Sequence, residues 1–359
     1  MLIFGFRKSL ELKIPTDLII YDRPKKISVI VPFKNEEVTI LTLIRSLQEQ
    51  DFSNSLFEVI LVDDHSTDQS ALIVNTEIRY LPNFKMILAS PYEKGKKRAL
   101  AWGIDHAKGD IITTTDADCI VPTQWLTKIN NYFIATDAKM IFGGVRIEEK
   151  KSFFAKLQVI EFCSLIGSGA ATLVLGYPSM CNGANLAFYK EAFIEVGGYD
   201  DNYKIASGDD EFLMRKIYAK YQGKVFFMNN ANAVVTTQPQ ATIKEFVNQR
   251  LRWAGKLSYN NAISTKLLGW FIIVFQASYI AIVIFLITEI ISIWIGFPLV
   301  AIKLIVEFIF LKRVASFLNV KWRTSTFLAL QILYPLYVVG IGIFSNFIPY
   351  HWKGRKYRI

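Results

Sequence analysis

The chain has 359 residues, is 52% hydrophobic and carries a formal net charge of +10. Its mean hydropathy of +0.28 argues against a purely soluble protein and for a membrane portion, and the length allows one or two domains with a sizeable core. Basic residues flank the apolar stretches: Arg250, Arg252, Lys256 and Lys266 before the first, Lys312, Arg313, Lys321 and Arg323 between later ones, and Lys353, Arg355, Lys356 and Arg358 at the end. That placement suits anionic headgroups and disfavours a nucleic-acid-binding face.

Residues 1–25 form an N-terminal segment with a short apolar start and no h-region followed by a cleavage site, so no signal peptide is expected. ISVIV (27–31) then reads as a strand buried on both faces. Asn35 is placed to cap a following helix with Val38, Leu41, Ile44 and Leu47 at helical spacing and Glu36 and Glu37 in its positive first turn. FEVILV (57–62) is a second buried strand, ending at Asp63-Asp64, with Ser66-Thr67-Asp68 as the next helix start. FKMILA (84–89), a basic helix from about Lys96, and DIITTT (110–115) repeat the alternation, the last ending at Asp116-Ala117-Asp118. Alternating strands and helices predict right-handed βαβ units around a mostly parallel sheet, with ligands beyond the carboxyl ends of the strands.

Farther on, KMIFGGVRI (139–147) reads as a strand, a long helix follows from Phe153, NGANLAF (182–188) is a strand, and a helix over 207–221 is capped by Ser207. The three cysteines, Cys119, Cys163 and Cys181, show neither zinc-pair spacing nor a disulfide framework, which reads as reduced thiols in the cytosol.

Residues 241–265 hold a basic amphipathic helix (242–258) of the kind that lies in a membrane interface, with Ile243, Phe246, Val247 and Leu251 along one side. Within 266–350, three apolar spans, about 267–288, 290–311 and 327–348, each approach the roughly 20 residues that cross a bilayer. In the second, Lys303 and Glu307 stand at i and i+4, where they can pair. Three crossings from a cytosolic domain would carry the tail, 351–359, outside, whereas its basic composition favours inside.

Two carboxylates one residue apart after a buried strand, Asp116 and Asp118, suit Mg²⁺ or Mn²⁺ bridging a diphosphate; an Asp-rich turn is the plain alternative. Asp63-Asp64 fits either a base and ribose or a turn cap. The cations at 94–98, Lys96 among them, are either a solvated helix face or part of that same edge. Asp209-Asp210 at a helix start either complements the helix dipole or crowds its charges into a general base. Gln249, Arg252 and Trp253 lie within five residues, on what is otherwise an ordinary interfacial helix.

Taken in order, VPFKNEE (31–37), VDDHSTD (62–68), KGKKRALAWGI (94–104), TDAD (115–118), NGANLAF, GGYD (197–200), GDDEFL (208–213) and QRLRW (249–253) resemble the membrane-bound glycosyltransferases of family 2. The resemblance is strongest to the QxxRW branch of cellulose-, hyaluronan- and poly-N-acetylglucosamine-synthase-like enzymes, much of which ceramide-glucosyltransferase-like enzymes share. It covers about residues 25–260. It implies a GT-A domain (α/β, mostly parallel sheet flanked by helices) over 26–240, followed by C-terminal transmembrane helices.

The same resemblance implies residue roles. Pro32, Glu36, Asp63, Asp64, Lys96 and Asp116 would bind the donor, with Asp118 as the direct metal ligand beside Asp116. Asp210 would be the catalytic base, supported by Asp209. Gln249, Arg252 and Trp253 would serve the diphosphate and the acceptor. Two positions depart from the common pattern: Asp209 stands where many members have Glu, and His65 where Gly is common. The implied activity is inverting, metal-dependent transfer from a nucleotide sugar, UDP by family habit, to a lipid-linked or polysaccharide acceptor. The alternatives are a single-sugar glycolipid transferase and a non-catalytic subunit of a polysaccharide export complex, with synthase or export subunits as partners. The implied location is a bacterial inner (plasma) membrane with the catalytic domain cytosolic.

Overall fold

The computed structural model describes residues 1–11, 24–91, 94–200, 202–203, 207–255, 263–345, 348–352 and 355–357. Expectations for 12–23, for the helix end at 256–258 and for Lys353 and Arg358 of the tail lie outside the described residues. The chain forms two compact units, one of Gly5–Ile147 with Gly169–Gln238, the other of Met1–Phe4, Glu148–Ser168 and Pro239–Ile359. Helix α1 (Leu2–Ser9) opens the chain, and a side chain at Gly5 would come within 2.8 Å of the Ala171 carbonyl, so the helix packs backbone to backbone there.

The first unit is built on strands β1 (Ile27–Phe33), β2 (Phe57–Asp63), β3 (Phe84–Leu88), β4 (Ile111–Thr114), β5 (Met140–Gly143), β7 (Leu186–Tyr189) and β8 (Val225–Met228). They form one sheet in the order β3-β2-β1-β4-β7-β5-β8. β1 pairs parallel with both β2 and β4, and all seven of its residues are buried, the arrangement that its unbroken apolar run requires. The expectation of a mostly parallel sheet flanked by helices holds; β7 alone runs antiparallel to its neighbours. KMIFGGVRI makes two strands, β5 and β6 (Val145–Ile147), and β6 leaves the main sheet to pair with β9 (Val235–Thr237).

Helices α2 (Ile40–Gln48), α3 (Ser70–Glu77), α4 (Lys96–Asp105), α5 (Trp125–Ala135), α7 (Lys190–Glu195) and α8 (Asp209–Lys220) complete this unit. Two helix starts differ from expectation. Asn35 does not cap α2: it takes a left-handed backbone, φ 53°, and the helix begins five residues later, so Val38 is 87% exposed and the buried face is Ile40, Leu43, Ile44 and Leu47. The cause is a lattice between loops 34–39 and 65–70. The Asn35 N–H donates to Ser66 Oγ, the Glu36 N–H to Ser70 Oγ and the Glu37 N–H to Asp68 Oδ2; Thr67 and Gln69 N–H groups donate back to the side chains of Asn35 and Glu37. Nor does Ser207 cap α8; Gly208, at φ 83°, holds the N-cap, and Asp209, Asp210 and Glu211 occupy the first turn.

The second unit contains most of α6 (Phe153–Val174), α9 (Ile243–Ala254), α10 (Ile263–Ile287), α11 (Ile293–Phe317), α12 (Thr324–Phe344) and a hairpin of β10 (Tyr350–Trp352) and β11 (Arg355–Tyr357). Thr242 and Glu245 form a capping box at α9. The second span is longer than its apolar run: α11 continues through exposed Lys312 and Arg313 because Phe310, Leu311, Val314 and Ala315 bury the opposite side. It stops in a Schellman motif at left-handed Asn319, where Val320 N–H reaches Ala315 O at 2.9 Å. Lys303 and Glu307 pair as their spacing predicts, at 3.0 Å, and Lys303 also donates to Gln331 of α12 at 2.7 Å and lies 4.3 Å from the ring of Tyr279 in α10. By length and composition, four described helices can cross a membrane: α6, α10 from Thr265, α11 and α12. The apolar pattern of the sequence predicts only the last three; α6 is less apolar, carries Glu161 and is mostly buried.

Candidate active site

The chain order puts β2 on one side of β1 and β4 on the other, so a crevice opens beyond their carboxyl ends, the usual ligand position in such sheets. Asp63, the last residue of β2, is buried and accepts from the Ser66 N–H at 2.8 Å. Asp64 is buried too, and both its oxygens accept from the Gly95 N–H, at 3.0 and 3.1 Å. Gly95 has φ 117°, out of reach of most side chains, and it is the N-cap of α4. Asp64 thereby fixes where Lys96, the first residue of α4, leaves the backbone.

Lys96 Nζ stands 2.7 Å from Asp116 Oδ1 and 3.2 Å from Asp209 Oδ2. Burial opposes its charge, but Asp116 first and then Asp209 hold the ammonium well above the ordinary lysine range. One cation thus bridges the turn after β4 to the start of α8. Asp210, next in the chain, is held at both oxygens: Oδ2 accepts from the Gly183 N–H at 3.0 Å and Oδ1 from the Glu211 N–H at 2.7 Å. Tyr199 is buried near this cluster, and burial, reinforced by Asp209, pushes its phenol well above the usual value.

Asp118, in the same turn, is half-buried; its Oδ2 lies 3.4 Å from Thr237 Oγ1 and its Oδ1 3.6 Å from the Cys119 thiol. No group of three His, Cys, Asp or Glu side chains able to hold a metal occurs among the described residues. Mg²⁺ is usually held by one or two carboxylates together with substrate phosphates, and the pair Asp116 and Asp118 fits that kind of site.

The structure therefore brings Lys96, Asp116, Asp209 and Asp210 together, with Asp64 bonded to the N-cap of α4, the residue before Lys96. Pro32 is buried within β1 opposite Val62, and the Glu36 carboxylate accepts from Thr39 Oγ1 at 2.8 Å while its N–H bonds Ser70. Gln249, Arg252 and Trp253 lie on α9 in the other unit. His65 takes φ 62°, a left-handed backbone that glycine adopts more readily, and its Nδ1 is 3.6 Å from Asp64 Oδ1. The sequence reading assigned no role to Gly95, Gly183, Tyr199 or Thr237. The first three lie in motifs that it did single out, so the signal was present without a geometry to interpret it.

Relatives of this chain share part of its length. It is 26% identical over 249 residues to the "Probable glycosyltransferase YdaM" of Bacillus subtilis (strain 168), covering 64% of this chain and 54% of that protein. It is 27% identical over 256 residues to the "Beta-monoglucosyldiacylglycerol synthase" of Synechocystis sp., covering 68% and 51%. It is 29% identical over 182 residues to the "Poly-beta-1,6-N-acetyl-D-glucosamine synthase" of Staphylococcus aureus, covering 50% and 43%. The chain spans about half the length of the curated relatives it matches. The stretch that carries Asp63, Asp64, Lys96, Asp116, Asp118 and Gly183, residues 28–197, matches the model of the family "Glycosyl transferase family 2".

Proposed function

We propose that this chain is an inverting glycosyltransferase that moves a sugar from a nucleotide-sugar donor, a UDP-sugar by family habit, to a lipid-linked or polysaccharide acceptor at a membrane. The observation that carries the reading is the Lys96 bridge between Asp116 and Asp209, which joins the donor-side turn to the residue before Asp210. The family match over 28–197 supports it.

In this reading Asp210, locked at both oxygens, takes the proton of the acceptor hydroxyl as that oxygen attacks the anomeric carbon. Asp209 keeps Lys96 in place. Lys96 and Arg252 offset charge developing on the departing nucleoside diphosphate. Bound at Asp118 and Asp116, a Mg²⁺ or Mn²⁺ ion would neutralise part of the same charge. Asp63 and Asp64 serve the nucleoside, with Pro32 and Glu36 at the same end of β1. Gln249 supports the diphosphate, and Trp253 offers an aromatic face to an acceptor sugar. In the same reading α10–α12 cross a bacterial inner membrane and the transfer takes place on its cytosolic side.

A second reading, transfer of one sugar to a membrane lipid, gains weight from the Synechocystis glycolipid synthase, whose likeness extends over 68% of this chain against 50% for the polymer synthase. The test is nucleoside diphosphate release by the purified chain in detergent, with Mn²⁺, a panel of nucleotide sugars and membrane lipid extract. Release with one donor, lost in Asp210→Asn, is expected; product size then separates a polymer from a glycolipid. Equal release from wild type and Asp210→Asn would refute the assigned base.

A further inference from the structure

Arg250 was expected, from its place beside the first apolar span, to face headgroups. The structure assigns it elsewhere. Its side chain is 6% exposed and that of Glu161, on α6, is 3% exposed; Nη2 and Nε of the arginine meet the two oxygens of the glutamate at 2.5 and 3.1 Å. This is the parallel fork by which guanidinium and carboxylate bind most firmly. The same guanidinium lies 4.4 Å from the ring centre of Phe246 and 4.3 Å from that of Trp253, between the aromatic residues one turn to either side of it on α9. Its third nitrogen, Nη1, donates to Gln249 Oε1 at 2.5 Å.

Among the described residues, the contacts of this side chain reach Glu161 of α6, Phe246, Gln249 and Trp253 of α9, and Tyr337 of α12. Tyr337 of α12 donates to Glu161 Oε1 at 2.7 Å, and its ring meets Phe246 edge-on at 5.6 Å. Phe162, the neighbour of Glu161, backs Trp253 at 6.3 Å. Each of its three nitrogens thus donates to Glu161 or Gln249. What it does is fix two others: it orients the Gln249 amide by a charge-assisted bond and holds the Trp253 ring from one face.

We propose that Arg250, clamped by Glu161 and through it by Tyr337, is a positioning residue for Gln249 and Trp253. This rests on the acceptor and diphosphate reading of those two residues. A lysine at 250 would keep the charge but lose the fork, the planar stack and the bond to Gln249 together.

The test uses the full chain in detergent with 5-fluorotryptophan at its seven tryptophans, the Trp253 resonance being assigned by its disappearance in Trp253→Phe. In Arg250→Lys and in Glu161→Gln, the Trp253 fluorine resonance should shift or broaden. Nucleoside diphosphate release should lose on the order of tenfold in kcat while the donor KM stays within about twofold, the pattern of a lost transition-state contact. Arg250→Lys retains a buried cation opposite Glu161 and serves where Glu161→Gln does not fold. An unmoved Trp253 resonance in Arg250→Lys overturns the proposal. Full turnover in Trp253→Ala would instead refute the acceptor reading of that residue, and the fluorine signal would still decide whether Arg250 sets its position.

Discussion

The backbone N–H of Gly183 donates to Asp210 Oδ2 at 3.0 Å, and the carbonyl of the same residue accepts from Thr114 Oγ1 at 2.6 Å. The end of strand β4 and the proposed base are thus connected through the backbone of one residue. The position has no room to spare: a Cβ on Gly183 would lie 3.2 Å from Asp209 Oδ2 and 3.6 Å from Asp210 Cβ.

Gly183→Ala should therefore press on the Asp209 carboxylate, and through it on Lys96, without unfolding the sheet. Small displacements of a catalytic group are costly, up to about a hundredfold for 1 Å, so turnover should drop roughly tenfold or more with the thermal midpoint nearly unchanged. A variant with full turnover would mean that the Asp209 carboxylate absorbs the added methyl without disturbing the site.

Lys96→Met removes the cation between Asp116 and Asp209 while keeping most of the side chain's volume. Release of nucleoside diphosphate should fall by about 10²–10³, as for the loss of one preorganised charge stabiliser. Lys96→Arg should not restore it, because the ammonium meets two carboxylates from separate segments as a point charge. Steady-state release assays on both variants check this.

Glu58 anchors the start of the sheet: it accepts from Ser28 Oγ at 2.7 Å and the Lys108 N–H at 2.5 Å, and pairs with Lys85 at 3.0 Å. Burial would raise its pKa, but these partners together hold it below the ordinary glutamate value. Its stabilisation is therefore complete above the unfolded pKa, about 4.3, and is lost as pH falls through the lower folded value. Glu58→Gln should cost about 1–2 kcal/mol at pH 7, and the gap to wild type should close in acid. Thermal unfolding at several pH values measures it.

Among the spans, Lys303→Met should cost about 3 kcal/mol, because it leaves Glu307 without its partner in an apolar setting. The double variant Lys303→Met/Glu307→Leu should recover most of that loss. A double variant as unstable as the sum of the two single ones would show that the pair acts independently of its mutual contact. Thermal midpoints in detergent decide it.

The strands were legible because buried parallel strands are written as continuous apolar runs, and Ile27–Phe33 and Phe57–Asp63 have no competing reading. The start of α2 was not, because it depends on contacts across 31 or more residues, Asn35 with Ser66 and Glu37 with Asp68 among them, and these override a local cap. For the site, motif order indicated which residues matter, but Gly183 and Gly95 act through backbone N–H groups, which every residue type but proline carries. Arg250 was misjudged for a similar reason: its partner Glu161 lies 89 residues earlier, inside a helix with no marked periodic face.

The antiparallel strand β7 has a consequence for how the protein is made. β5 pairs only with β7 and β8 in the main sheet, and both follow it in the chain. On the ribosome, where the N-terminal part emerges first, β1 to β4 can assemble as residues up to Thr114 appear. Met140–Gly143 must then wait, with the apolar α6 already synthesised behind it, until Leu186–Tyr189 arrives to lie between β4 and β5. The half of the sheet that Gly183 precedes and Asp210 approaches is thus completed late, so a truncated chain ending before β7 would keep the edge with Asp63, Asp64 and Asp116 and would lack Asp210.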